Sequence, residues 1–174
     1  LAGSDEAYDA ILRQSGVLRV ESVSELFDYA RAFAEQPLPK GNRVAIITNG
    51  GGPGIMATDA CVRYGLKVAQ FSENTKKRLR AGLPKAASVN TPVDIVGDAQ
   101  ADRYEVALRA ALWDENVDCG LVMLTPQAMV DIKKIGETIA TIAPKSGKTV
   151  VGCLMGLVDV SPGIEVLEKN GIPH

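Results

Sequence analysis

Aromatic residues make up only 5% of this 174-residue chain, which leaves few π faces on which a nucleobase could stack. A cationic surplus is lacking too. Lys plus Arg number 19 against 21 Asp plus Glu, so the net charge is -2, with no basic block to release counterions from a nucleic acid. No apolar run approaches the roughly 20 residues that cross a bilayer, and the amino terminus lacks the basic and apolar regions of a signal peptide. These absences point to a cytoplasmic protein with neither a nucleic acid nor a membrane as partner.

Reactive side chains are sparse. Cys61, Cys119 and Cys153 lie far apart with no CxxC pairing, each inside an apolar segment, and read as small buried thiols in a reducing compartment. No spacing suited to metal ligands occurs. The single histidine, His174, is the last residue and reads as the start of a severed strand rather than a catalytic base. The opening Leu-Ala-Gly-Ser, the closing Gly-Ile-Pro-His and the absence of an initiator Met fit a piece of a longer polypeptide.

What is present is an ordinary globular composition, 46% apolar and 23% charged, enough for one well-filled core with an appendage. Ser4 is placed to cap a helix to about Gln14, and Ser22 with Glu25 forms a capping-box pattern for a helix over Val23–Glu35. In the second helix Val23, Leu26, Phe27, Ala30 and Phe33 recur at helical spacing, which predicts one buried stripe. The prolines and glycine of "QPLPKGN" then mark a boundary, giving a helical linker over 1–40 and a domain over 41–174.

From Arg43 strands and helices alternate. "RVAIIT", "KVAQF", "PVDIVG", "VDCGLVMLT" and "TVVGCLMG" read as strands. "GIMATDACVRYG", "SENTKKRLRAGL", "AQADRYEVALRAALWD" and "QAMVDIKKIGETIATIA" read as the helices between them. Strands apolar throughout imply burial on both faces, so the expected fold is an α/β, doubly wound parallel sheet with an N-terminal helical extension. Ligands in such sheets bind at the carboxyl ends of strands, here the loops after Thr48, Ile95 and Leu124.

One of those loops is "TNGGGPG". Gly50, Gly51, Gly52 and Gly54 allow close backbone approach, Pro53 suits the first helical position, and the amides that follow point out of the helix toward an anion. The same residues also make a tight strand-to-helix turn, and local sequence leaves both readings open. A dinucleotide fingerprint fits poorly because position 53 is Pro and "KVAQF" ends without a carboxylate. "SGKT" at Ser146–Thr149 is no P-loop, since Ile142 stands where its first glycine belongs and the segment runs from helix to strand. A flavin site would want more aromatic planks. Asp94 and Asp98 sit at a carboxyl-end loop, where they face a ligand or serve turn formation and helix capping.

"LPKGNRVAIITNGGGPGIMATDA", "NTPVDIVGDA" and "LTPQAM" together resemble the NDP-forming acyl-CoA synthetases, in particular the ADP-forming acetyl-CoA synthetase branch of the succinyl-CoA synthetase superfamily. The resemblance covers nearly the whole chain and implies its ligase-CoA domain, a flavodoxin-like unit. It further implies the reaction acyl-CoA plus ADP plus phosphate giving acid, ATP and CoA, through a phosphohistidine on a mobile loop cradled between two helix N-termini.

Carried onto this sequence, the resemblance makes Asn49 the substrate-contacting Asn. It places Gln127, Ala128 and Met129 at the turn opening the phosphate-facing helix, and it brings in Gly97 and Thr125 as neighbours of that surface. Succinyl-CoA synthetases have Gly-Gly-Ile-Val where Pro126–Met129 stand here, and a glycine run where Gly97–Ala99 stand. The phosphorylated His is expected upstream of Leu1, so the chain alone should be inactive and supply no catalytic side chain.

The expected partners are the CoA-binding, phosphohistidine-bearing and ATP-grasp domains or subunits, in an oligomeric whole. CoA, ADP or ATP, phosphate and Mg are implied for that whole enzyme, with none bound by this part alone. Two alternatives are a synthetase-like regulatory region of a protein lysine acetyltransferase and a free-standing phosphate- or nucleotide-binding module.

Overall fold

Every strand pair in the sheet is parallel. The computed structural model describes residues 4–156 and 159–174. At its centre is β1 (Arg43–Thr48), paired from Val44 to Thr48 with β4 (Cys119–Leu124), which pairs in turn with β5 (Thr149–Leu154). The opposite edge of β1 is shared: β2 (Lys67–Val68) pairs with Arg43 and Val44, and β3 (Val93–Asp94) with Ile47 and Thr48. The order β2-β1-β4-β5, with β3 beside β1, is the expected doubly wound, flavodoxin-like sheet.

Alternation along the strands sorts side chains between two faces. Ala45, Ile47, Val122, Leu124 and Val150 point into the main core. Over that face lie α4 (Glu73–Gly82), α5 (Ala101–Ala111), α6 (Ile132–Ile142) and α7 (Ser161–Lys169), contributing Leu79, Leu108, Ile135, Ile139 and Leu167. The opposite face, with Val44, Ile46 and Met123, packs on α3 (Gly51–Arg63) through Cys61 and Ala57. Tyr104, fully buried, donates its hydroxyl to the Met123 carbonyl at 2.9 Å, and burial pushes the phenol pKa well up.

Several boundaries differ from the sequence reading. "KVAQF" pairs only at its start, because the Ser72 amide and hydroxyl bond to Asp114 Oδ2 at 2.8 and 2.9 Å, turning the chain into α4. The helix expected from Gln127 begins at Ile132, where Asp131 accepts from the Lys134 amide at 3.0 Å. The sequence reading had not assigned α7. Its tight seat against α6 depends on Gly136, where a Cβ would meet the Gly163 carbonyl at 3.0 Å.

The N-terminal arm folds as α1 (Asp5–Gln14) and α2 (Val23–Glu35), capped by Ser4 and Ser22 as expected. The stripe on α2 is not buried. Val23, Leu26, Phe27 and Phe33 are 53–69% exposed, since no element among the described residues packs over them. Helical periodicity reports an apolar face and says nothing of what covers it. Where the arm meets the sheet, Gln36 Oε1 accepts from the Val150 amide at 3.0 Å and Thr149 Oγ1 donates to the Pro37 carbonyl.

At the amino end of the sheet Asp118 accepts from the Arg43 amide, Nε and Nη2 at 2.8–2.9 Å. Those bonds from the Arg43 side chain and backbone hold its pKa down to about 2, against an ordinary 3.8. A depressed carboxyl stabilises the fold above its ordinary value and ceases to as pH falls through the folded one. The Tm difference between the protein and an Asp118→Asn variant should therefore be full at neutral pH and close between pH 3.8 and about 2. A gap that stays constant across that window would contradict the pairing.

Candidate functional site

Because α3 leaves β1 toward one face and α6 leaves β4 toward the other, the carboxyl ends of β1 and β4 frame the topological switch point of the sheet. Crevices in this fold class open there. Three loops meet at it: Asn49–Gly50 after β1, Ile95–Gln100 after β3, and Thr125–Asp131 after β4.

Asn49 binds them together. Its side chain is buried, with 3% exposure. Its Nδ2 donates to the Thr125 carbonyl at 2.8 Å and the Gly97 carbonyl at 3.4 Å, and its Oδ1 accepts from the Thr125 amide at 2.8 Å. The side chain is thus directed inward, and what the loop offers outward is backbone. Thr48, fully buried, braces the turn from below: its Oγ1 accepts from the Gly50 amide and donates to the Gly50 carbonyl, both at 3.0 Å.

The glycine loop is itself the first turn of α3. Gly50 is the N-cap, Gly51 and Gly52 are the first two helical residues, and Pro53 is the third rather than the first. Pro53 carries no amide hydrogen, and the Gly54 amide already donates to Gly50 at 3.1 Å. That leaves the amides of Gly51 and Gly52, both exposed and, among the described residues, without an acceptor. Gly54 is required by contact: a Cβ there would lie 2.9 Å from Thr48 Cγ2. Gly52, in contrast, faces open space.

Of the two acids, Asp94 serves a turn and Asp98 an ion pair. Asp94 Oδ1 accepts from the Val96 amide at 2.9 Å, a turn that holds β-branched Val96 at φ 73°, in the left-handed region such residues avoid. Its other oxygen lies beside Gly51, 3.0 Å from where a Cβ would stand. Asp98 caps no helix. It pairs with Arg103 at 2.5 Å, and that bond lowers its pKa.

Gln127, Ala128 and Met129 are exposed and lie in a turn ahead of α6, so they do not open that helix. The helix N-terminus is already capped by the Asp131 carboxylate, which disfavours a second anion there. Gln127 instead covers Gly97, where a Cβ would meet its Nε2 at 2.5 Å. The loop is pinned by Gln100, which donates to the Met129 carbonyl at 2.7 Å and accepts from the Asp131 amide at 3.2 Å. Gln100, Thr48 and Asp131 were not singled out from sequence. Of these only Asp131 carried a signal, an Asp just ahead of the apolar repeat Ile132, Ile135, Ile139.

A flavodoxin-like domain with a glycine-opened helix at its switch point, presenting free amides on a buried polar clamp, is the class that fold and site define. The chain belongs to the ligase-CoA domain family, which matches residues 44–174, while residues 1–33 match the succinyl-CoA ligase like flavodoxin domain.

The chain is 43% identical over its full length to an ADP-forming acetate–CoA ligase I of Archaeoglobus fulgidus, covering 24% of that protein. It is 40% identical, again over its full length, to an ADP-forming 4-hydroxybutyrate–CoA ligase of Nitrosopumilus maritimus, covering 25% of it. The chain thus spans about a quarter of the length of these curated relatives. Among solved structures, the dinucleotide-forming acetyl-coenzyme A synthetase 1 of Ca. Korarchaeum cryptofilum, in complex with phosphate and ADP, superposes with a TM-score of 0.91 at 30% identity. That match covers 99% of this chain and 38% of the other. An acetyltransferase-linked regulatory role gains no support from these ligases.

The clamp carries a stability prediction. Asn49→Ala leaves the Thr125 amide and carbonyl without partners in a buried setting, at a cost of about 2–4 kcal/mol. Urea unfolding should show it, and a loss below about 0.5 kcal/mol would mean that the loops hold without the clamp.

Proposed function

We propose that the chain is one domain of an ADP-forming acyl-CoA ligase, and that the N-terminus of α3 is one wall of the cradle for its phosphohistidine loop. The reaction served is acyl-CoA plus ADP plus phosphate giving acid, ATP and CoA. The observation that carries the reading is the pair of unpartnered amides on Gly51 and Gly52, aimed outward at the switch point of a chain whose relatives are ligases of this kind. One relative is described in complex with phosphate and ADP, the anions such a wall would meet.

The chemistry assigned to this chain is positioning and charge stabilisation. Two amides donate to phosphoryl oxygens and the positive end of the α3 dipole stabilises their charge, each such helix-end interaction being worth about 0.3–1 kcal/mol in an exposed setting and more once water is excluded. Asn49 and Thr48 keep that surface in place before the phosphoryl group arrives, so little reorganisation is needed at that moment. The nucleophilic histidine belongs to a neighbouring domain.

The remaining parts of the reading follow. Residues 41–174 form the ligase-CoA domain, and the 1–40 arm links it to the flavodoxin-like unit whose pattern residues 1–33 match, with the apolar stripe of α2 seated on that unit. Mg, CoA and ADP are assigned in this reading to other domains; among the described residues no group of three or more His, Cys, Asp or Glu could hold a metal ion. Relatives named for acetate and for 4-hydroxybutyrate resemble this chain about equally, which assigns acyl selection elsewhere as well. A cytoplasmic location belongs to the same proposal; no helix among the described residues is long and apolar enough to cross a membrane.

Gly52→Ala separates function from fold. A methyl group there meets nothing within 4 Å, so stability should hold, yet it stands on the surface where the phosphoryl group would rest. In the intact ligase, phosphohistidine formed from labelled phosphate and acyl-CoA is expected to fall by roughly 10- to 100-fold. Formation at the normal rate would sink the cradle assignment.

A further inference from the structure

The "SGKT" stretch, which is no P-loop, carries a lysine that the phosphoryl site does not use. Lys148 stands at the amino end of β5, at the opposite end of the sheet from Gly51 and Gly52. With Leu38, Lys40, Arg43, Glu115 and Val117 it lines a cavity of about 380 Å³, within the size range of small-molecule sites.

The ammonium group there is poorly compensated. Lys148 is partly buried, and its Nζ donates to the Asp114 carbonyl at 2.7 Å. Asp118, which also lines the cavity, is held by Arg43, and this leaves Lys40 and Lys148 against Glu115 alone. Burial pushes the Lys148 pKa down, an effect that Arg43 reinforces and that Asp114 and Asp118 oppose only in part. More of this amine is therefore free at neutral pH than of a solvated lysine. A neutral amine that donates one N–H to a carbonyl keeps its lone pair for another partner, and the cavity supplies space for one. Leu38 and Val117 offer an apolar wall to an acyl chain, while Lys40 and Arg43 attract the phosphates of a CoA ester.

We propose that Lys148 is a self-acylation site, its side-chain amine taking the acyl group from the acyl-CoA thioester that the ligase itself handles. The Nζ lone pair attacks the thioester carbonyl carbon. A C–N bond forms, the C–S bond breaks, CoA leaves as the thiolate, and the proton lost by nitrogen passes to that thiolate or to water. The amide product keeps one N–H, which goes on donating to the Asp114 carbonyl, and the partly buried charge is gone. The source of the thioester rests on the reading of the chain as part of an acyl-CoA ligase.

The test incubates the intact protein with acetyl-CoA, leaving out ADP and phosphate so that no turnover occurs, and follows acetylation of each lysine by mass spectrometry. In the folded protein Lys148 should be acetylated at least about tenfold faster than exposed Lys145, and in denaturing urea the two should react at about the same rate. Lys40→Ala should slow Lys148 by roughly threefold, the effect of one exposed charge pair, and leave Lys145 unchanged. Equal rates for the two lysines in the folded protein, a preference for Lys148 that survives in urea, or a Lys148 rate indifferent to Lys40→Ala would each overturn the proposal. Acetyl-CoA is supplied directly and no phosphohistidine forms, so none of these outcomes bears on the cradle assignment.

Discussion

The side-chain amide of Asn49 joins backbone from the loops after β1, β3 and β4, and the arrangement of the switch point depends on that one buried group. A parallel sheet ends in carbonyls and amides that have no further strand to pair with. Here the Thr125 amide and the Thr125 and Gly97 carbonyls are satisfied by Asn49, while Thr48 satisfies Gly50. At the N-terminus of α3, the Gly51 and Gly52 amides have no acceptor among the described residues. A surface made of fixed backbone dipoles needs no charged side chain, and Arg103, in the first turn of α5, is held by Asp98.

The rest of the chain has the character of a part shaped to fit others. The core between the sheet and α4–α7 is filled, with Ile47, Leu108, Leu124, Ile135 and Ile139 fully buried. Away from that core, large apolar side chains stand exposed on α2 and α3, including Phe27, Phe33, Ile55 and Met56. Exposed apolar surface on this scale marks interaction sites. Two family patterns meet within this one chain, one ending at residue 33 and the other starting at residue 44.

Much of the fold was legible in the sequence because local and global signals agree. Ser4, Ser22 and Ser72 precede their helices, and apolar runs such as "RVAIIT" fall where strands buried on both faces occur. The failures have physical causes. "KVAQF" looked like a full strand, since nothing local reveals that buried Asp114 draws Ser72 away. The helix α7 was hidden by the Pro-Gly pair in its first turn, a pair that elsewhere marks a loop. In the site, the glycine loop and Asn49 were found, but whether an Asn faces a ligand or a neighbouring loop is decided by tertiary structure. The structure turns it inward.

The central claim is that the Asn49 clamp presents the Gly51 and Gly52 amides to a phosphoryl group. The measurement that tests it most directly is a structure of the intact ligase in its phosphorylated state. The account predicts phosphoryl oxygens about 2.9 Å from both amide nitrogens, with the Asn49 bonds to Thr125 unchanged. A phosphohistidine held by side chains alone, with those two amides facing water, would contradict it.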